Sequence, residues 1–222
     1  MSSLTAPPLS TLLARLFVEA DATDKPLLEA LQKLSPAERA ARAASTPPNP
    51  AAAMAMTTNF YLAVTRETGT LCYMLARASS ARSIVEFGTS LGVSTLHLAA
   101  ALKDNGGGRV IGSEFDPSKA ARARENMAAA GLADYVEIRA GDAMETLARD
   151  LPDTIDLVLL DGAKGLYIPV IAMLEKRLRV GAFVIADNAD LVPEYVQRMR
   201  APGSGFLSVP CADDVELSMK VD

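Results

Sequence analysis

Tryptophan is absent from this chain, histidine occurs once, at His97, and cysteine only twice, at Cys72 and Cys211. Each shortage closes a route. The two cysteines lie far apart and form no CxxC pair, which argues against a disulfide or zinc framework and fits a reducing cytoplasm. His97 falls inside the helical stretch after a glycine loop, where a packed structural role outweighs a catalytic one. No apolar run reaches the roughly 18 residues of a membrane span. Clustered basic charge is also missing: the net charge is −5, which argues against nucleic acid as the main partner. The N-terminal stretch has no early basic cluster and Arg15 interrupts its apolar residues, so no signal peptide is expected. No repeat of 20 to 50 residues stands out.

Half of the 222 residues are apolar, enough for one core, and a single domain over 1–222 is expected. Residues 1–80 read as an alanine-rich helical segment and 81–222 as the main fold. "SPAERAARAAS" has a capping signature, with Ser35 as N-cap and Glu38 three residues on. "TPPNP" at 46–50 is a breaker, and a long helix is predicted from about Pro50 to Arg77, interrupted near Gly69. After residue 80 the pattern changes to short apolar runs alternating with amphipathic stretches, five times over. That alternation predicts an α/β fold: a mainly parallel sheet with helices on both faces. "GFLSVP" and "VELSMKV" then follow with no helix between them, as a closing antiparallel hairpin.

In such sheets ligands bind beyond the carboxyl ends of the strands. Acidic or amide residues mark every exit here: Glu86 at the first, Glu114 at the second, Asp142 after the third, Asp161 at the fourth, Asp187 and Asn188 at the fifth. Turn and capping roles would explain any one of them, but not readily all five. "EFGTSLGVS" sets Gly88 and Gly92 where the chain must turn tightly and come close to a ligand. Glu86, two residues before Gly88, would repel a pyrophosphate and suits a cationic ligand such as an amine or sulfonium. Ser94 could bind a carboxylate through its hydroxyl or the helix-start amides, and Glu114 is placed for a ribose diol. Amine, carboxylate, ribose and adenine together describe S-adenosylmethionine (SAM). The competing readings are a salt bridge for Glu86 and a helix cap for Ser94.

In this order and spacing, "VEFGTSLGVS", "SEFDP", "AGDA", "LLDGAK" and "IADN" resemble the cation-dependent O-methyltransferases, the family of catechol and caffeoyl-CoA O-methyltransferases. The resemblance covers about 80–190. It implies a Rossmann-like class I methyltransferase fold with seven strands, SAM as cofactor and Mg²⁺, Mn²⁺ or Ca²⁺ beside it. By resemblance, Glu86, Gly88 and Ser94 hold the methionine end, Glu114 the ribose, and Asp142 and Ala143 the adenine. Asp161, Asp187 and Asn188 ligate the metal, with Asp161 also close to the methionine part, and Lys164 is the base. A small phenolic acceptor and a homodimer are implied too.

The chemistry is coherent. Two carboxylates and an amide oxygen form a hard, oxygen-only set suited to Mg²⁺ rather than to zinc or copper. A phenol ionises near about pH 10, so a cation that stabilises phenolate and a lysine that accepts the proton would both promote methyl transfer. Adjacent side chains of an ideal strand point opposite ways, so Asp187 and Asn188 can share a metal only if the backbone turns between them. An ordinary turn at Asp187-Asn188 and a surface role for Lys164 remain the competing readings. At the level of function, a metal-independent methyltransferase and a non-catalytic SAM-binding protein stay open. Departures from the family pattern, at Gly162-Ala163, after Asn188 and at Asp213-Asp214, fall on the substrate-facing wall.

Overall fold

The computed structural model describes residues 2–44, 57–212 and 214–222. Its centre is a seven-stranded sheet: β1 (Ser83–Phe87), β2 (Arg109–Glu114), β3 (Val136–Ala140), β4 (Ile155–Leu160), β5 (Leu178–Ala186), β6 (Phe206–Pro210) and β7 (Glu216–Lys220). The order is β3-β2-β1-β4-β5-β7-β6. The first five strands pair in parallel, and β7 lies antiparallel between β5 and β6. The expected α/β architecture with its closing hairpin is what forms.

The helices are α1 (Leu9–Gln32), α2 (Pro36–Ala44), α3 (Arg66–Ala78), α4 (Val93–Asp104), α5 (Pro117–Ala129), α6 (Ala143–Thr146), α7 (Tyr167–Leu174) and α8 (Pro193–Arg200). Local chemistry sets their starts. The capping box at α2 is present: Ser35 N–H donates to Glu38 Oε2 at 2.8 Å, and Glu38 N–H donates back to Ser35 Oγ at 3.3 Å. Asp116 caps α5 by accepting from Ser118 N–H, with Pro117 at the first helical position.

Two apolar layers sandwich the sheet. One packs α1, α3, α4 and α5 against side chains such as Ile84, Val110 and Leu157; the other packs α7 and α8 against Val85, Val158 and Val184. β4 is buried along almost its whole length, which is why it reads as a continuous apolar run. From β1 the chain steps outward through β2 to β3, then returns to β4 on the other side of β1. β1 and β4 therefore flank the switch point, where the loops after them diverge and leave a crevice.

The helix expected over Pro50–Arg77 is corrected in its described part. Residues 59–65 are extended or irregular, and helix begins only at Arg66. Thr65 ends the extended run as N-cap, accepting from Thr68 N–H at 3.0 Å. Gly69 does not interrupt the helix; it makes room for the ring of His97 on α4. The segment is held by Asp24 of α1, whose carboxylate accepts from the Tyr61 and Leu62 N–H groups, each at 2.7 Å. The breaker at 46–50 lies outside the described residues.

Candidate active site

Four strand ends converge at the switch point. After β1 the chain turns through Gly88, whose φ is +95°. A side chain there would be strained by that φ and would run into the backbone carbonyl of Asp161. The glycine loop and the end of β4 are thus in backbone contact, tied by Asp161 N–H donating to Phe87 O at 2.8 Å. Gly162 is a second close approach, because the Phe87 ring fills the place of its side chain.

Glu86 is fully buried and accepts three hydroxyl hydrogen bonds, from Thr89 (2.8 Å), Ser94 (2.6 Å) and Thr95 (2.6 Å). Burial pushes its carboxyl upward and the three donors pull it back. The Ser94 hydroxyl, expected to face a ligand carboxylate, spends its proton on Glu86. Glu114 accepts from Ser90 N–H (2.7 Å) and Asp116 N–H (2.8 Å), joining the end of β2 to the glycine loop. Asp142 caps α6 by accepting from Met144 N–H at 2.8 Å, and Ala143 is buried beside it. A narrow cavity runs between residues 61–64 and the glycine loop, with Asp161 at its end. A wider depression lined by Glu175, Arg198 and Lys220 lies at the other end of the sheet, away from every strand-end acid.

The second half of the site sits on β4 and β5. Leu160 pairs with Ala186, so Asp161 and Asp187 leave the sheet at the same level. Their carboxyls are close enough for each to affect the other's ionisation. Burial drives both up, Asp161 to about 6 and Asp187 to about 8; Glu86 adds to the rise at Asp161, Asp161 and Asp214 add to it at Asp187, and Lys164 pulls both back. Asn188 adopts a left-handed conformation, φ 49°, so the backbone does turn between Asp187 and Asn188. The Asn188 amide nitrogen donates to Asp214 Oδ2 at 3.2 Å. Lys164 Nζ lies 3.4 Å from Asp161 Oδ1, 3.2 Å from the Asp187 carbonyl and 2.7 Å from the Tyr167 hydroxyl.

This donor set fits a hard divalent cation. With both ionised, two carboxyls facing each other carry more negative charge than one lysine offsets, and every donor is oxygen. Among the described residues no group of three or more His, Cys, Asp or Glu forms such a centre, so the amide of Asn188 is needed to complete a third protein ligand.

Sequence reasoning missed Thr89 and Thr95, although hydroxyl residues at 89, 94 and 95 are a readable signal for a buried acceptor upstream. It favoured helix packing over pocket lining for Tyr167, and it gave residues 61–64 to a helix rather than to the cavity wall. Met54, Met56 and Asp213 lie outside the described residues.

Comparison with known proteins agrees with this geometry. Residues 85–189 match the family model described as a methyltransferase domain. A catechol O-methyltransferase from Niastella koreensis is 34 % identical over 130 residues, 57 % of this chain and 58 % of that protein. The cofactor-bound structure of Rv0187 from MTB is 28 % identical, covers 97 % of each chain and superposes with a TM-score of 0.65. The O-methyltransferase TomG from Streptomyces achromogenes, in complex with SAM and involved in tomaymycin synthesis, is 26 % identical with a TM-score of 0.61, covering 83 % of this chain and 90 % of that one. Sheet order, switch-point crevice and matched domain define a Rossmann-like methyltransferase fold. Within that class the chain is similar to O-methyltransferases, catechol O-methyltransferases among them. The match to the curated relative spans well under two thirds of that relative's length.

Proposed function

We propose that this protein transfers the methyl group of SAM to a hydroxyl oxygen of a small, catechol-like phenolic acceptor, with a divalent cation, Mg²⁺ or one of Mn²⁺ and Ca²⁺, in the site. The observation that carries the reading is the meeting of Asp161 and Asp187 as a buried carboxyl pair beside Lys164, across the crevice from the glycine loop.

In this proposal Glu86, Gly88, Ser94 and Asp161 hold the methionine end of SAM. Glu86 acts through the hydroxyls it orients and as a negative charge near the cofactor's amine. Glu114 takes the ribose hydroxyls on lone pairs left free by its two amide donors, and Asp142 and Ala143 border the adenine. Asp161, Asp187 and the Asn188 amide oxygen would hold the cation, the Asn188 nitrogen being spent on Asp214. When bound, the cation would supply charge that favours the ionised acceptor hydroxyl. Lys164 accepts the acceptor's proton at Nζ. Residues 61–64 close one wall over the crevice and keep water from the transfer. Holding donor and acceptor in line is a large part of the rate, worth roughly 7–11 kcal/mol in well-oriented systems.

Three further expectations belong to the same proposal: a single domain over 1–222 with the helical segment 1–80 as part of it, a cytoplasmic setting, in keeping with two free cysteines, and a homodimer. No described helix is long and apolar enough to cross a membrane.

The test is a methyl-transfer assay from SAM over a panel of phenols, with and without EDTA. Turnover of vicinal diols that EDTA abolishes and Mg²⁺ restores is expected. Asp187→Ala should lower turnover by about 100-fold or more, as the loss of several kcal/mol of charge stabilisation implies. Turnover indifferent to EDTA and to Asp187→Ala would remove the cation. Tight SAM binding with no turnover across the panel would favour a non-catalytic SAM-binding protein.

A further inference from the structure

Tyr167 is completely buried at the start of α7, and its ring is packed edge-on against Phe87 (centroids 6.3 Å apart) and Tyr195 (5.7 Å). Phenylalanine would fill that space equally well, so packing does not explain the hydroxyl. A buried hydroxyl costs stability unless it is partnered, and this one has three partners. It lies 2.8 Å from the carbonyl oxygens of both Leu160 and Asp187, and it accepts from Lys164 Nζ at 2.7 Å. With its single proton directed at the carbonyls, only its lone pairs remain for the lysine.

Those two carbonyls are the strand ends from which Asp161 and Asp187 project. The hydroxyl therefore ties the Lys164 amine to the same two strand ends that carry the acid pair. It is the short contact of the three made by Nζ; the others, to the Asp187 carbonyl and Asp161 Oδ1, are 3.2 and 3.4 Å and weaker. Lys164 and Tyr167 are three residues apart, across the 3₁₀ turn Lys164–Leu166 that leads into α7.

We propose that Tyr167 is a positioning residue: its hydroxyl fixes where the Lys164 amine stands relative to Asp161 and Asp187. This rests on the reading of Lys164 as the proton acceptor. Without the hydroxyl the amine keeps only its two long contacts and spreads over several rotamers. The variant Tyr167→Phe isolates the effect, because the ring packing and the Lys164 contact with the ring face, 4.9 Å from the centroid, remain.

The experiment compares the wild type with Tyr167→Phe, Lys164→Met and the double variant, using SAM, Mg²⁺ and catechol. Tyr167→Phe should lower kcat roughly tenfold or more, the consequence of losing one charge-assisted hydrogen bond, while KM for SAM stays within about twofold because the residue lies outside the proposed cofactor contacts. In the Lys164→Met background the same change should do nothing further. A second readout needs no acceptor: the rate at which an amine-acylating reagent modifies Lys164, followed by peptide mass spectrometry, should rise in Tyr167→Phe. Unchanged kcat with an unchanged labelling rate overturns the proposal, as does an equal loss in the Lys164→Met background. If Lys164→Met itself keeps wild-type turnover, the assignment of Lys164 falls and the role of the hydroxyl falls with it. If catechol is not turned over, the labelling rates decide.

Discussion

Asp161 and Asp187 stand side by side at the ends of two hydrogen-bonded strands, with Asp187 N–H donating to Leu160 O at 2.9 Å, and their carboxyls are coupled in their ionisation. Nothing in strand packing requires two acids there. Burial makes their ionisation costly, and each charge makes the other's worse.

A pH dependence of stability follows from that pair. Both acids are raised above the ordinary carboxylate range, to about 6 and about 8. Between the unfolded values, about 4, and these folded values, the folded chain holds protons that the unfolded chain has lost. Stability from this pair is therefore greatest below about pH 4 and declines as pH rises from there to about 8, where Asp187 ionises in the folded chain. In EDTA the thermal midpoint should drop over that interval by a few degrees, since about 1 kcal/mol moves it by roughly 2–4 °C in a chain of this size. Mg²⁺ should raise the midpoint more at pH 8 than at pH 5.5. Calorimetry at the two pH values checks both; a Mg²⁺ effect larger at the lower pH would contradict the assignment.

Glu86 gives a different expectation. Truncation in Glu86→Ala strands three buried hydroxyls, each costing about 1–3 kcal/mol, so a loss of roughly 3 kcal/mol or more is expected. Glu86→Gln keeps the shape and part of the bonding and should fold, yet bind SAM weakly. Urea denaturation reports the first effect and calorimetric SAM titration the second. Glu86→Gln binding SAM as tightly as the wild type would take Glu86 out of the cofactor site.

The contact between Gly69 and His97 predicts an effect without bearing on chemistry. A Cβ at position 69 would lie 2.7 Å from His97 Cε1. The ring cannot simply give way: its Nδ1 is bonded to the Val93 carbonyl at 2.8 Å, and Phe17 packs against it edge-on. Alanine's better helix propensity, worth about 1 kcal/mol, is outweighed by overpacking of about 1–3 kcal/mol. Gly69→Ala should be destabilising in urea melts, and part of the loss should return in Gly69→Ala/His97→Ala. Additive losses in the pair would show that the two residues do not compete for space.

The parts of the fold readable in the sequence are those whose cause is local. Asp116 and Pro117 announce α5, Ser35 and Glu38 announce α2, and the unbroken apolar run of β4 marks a strand buried on both faces. The glycine loop and the acids at the strand ends were readable for the same reason: each follows directly on the strand that carries it. The helix predicted across residues 59–65 was misplaced because its competitor is distant in sequence. Asp24 claims the backbone N–H groups of Tyr61 and Leu62, and no local preference records that.

Sequence by itself determined the alternation of strands and helices, and with it an α/β sheet that gathers Glu86, Glu114, Asp161 and Asp187 at one edge, because period, caps and turn residues act over a few neighbours. Only the tertiary structure decided that Asp161 and Asp187 touch, that the hydroxyls of Thr89, Ser94 and Thr95 meet on Glu86, and that Tyr167 holds Lys164. Those contacts depend on strand order and register, which are set by how two apolar layers pack across the whole sheet.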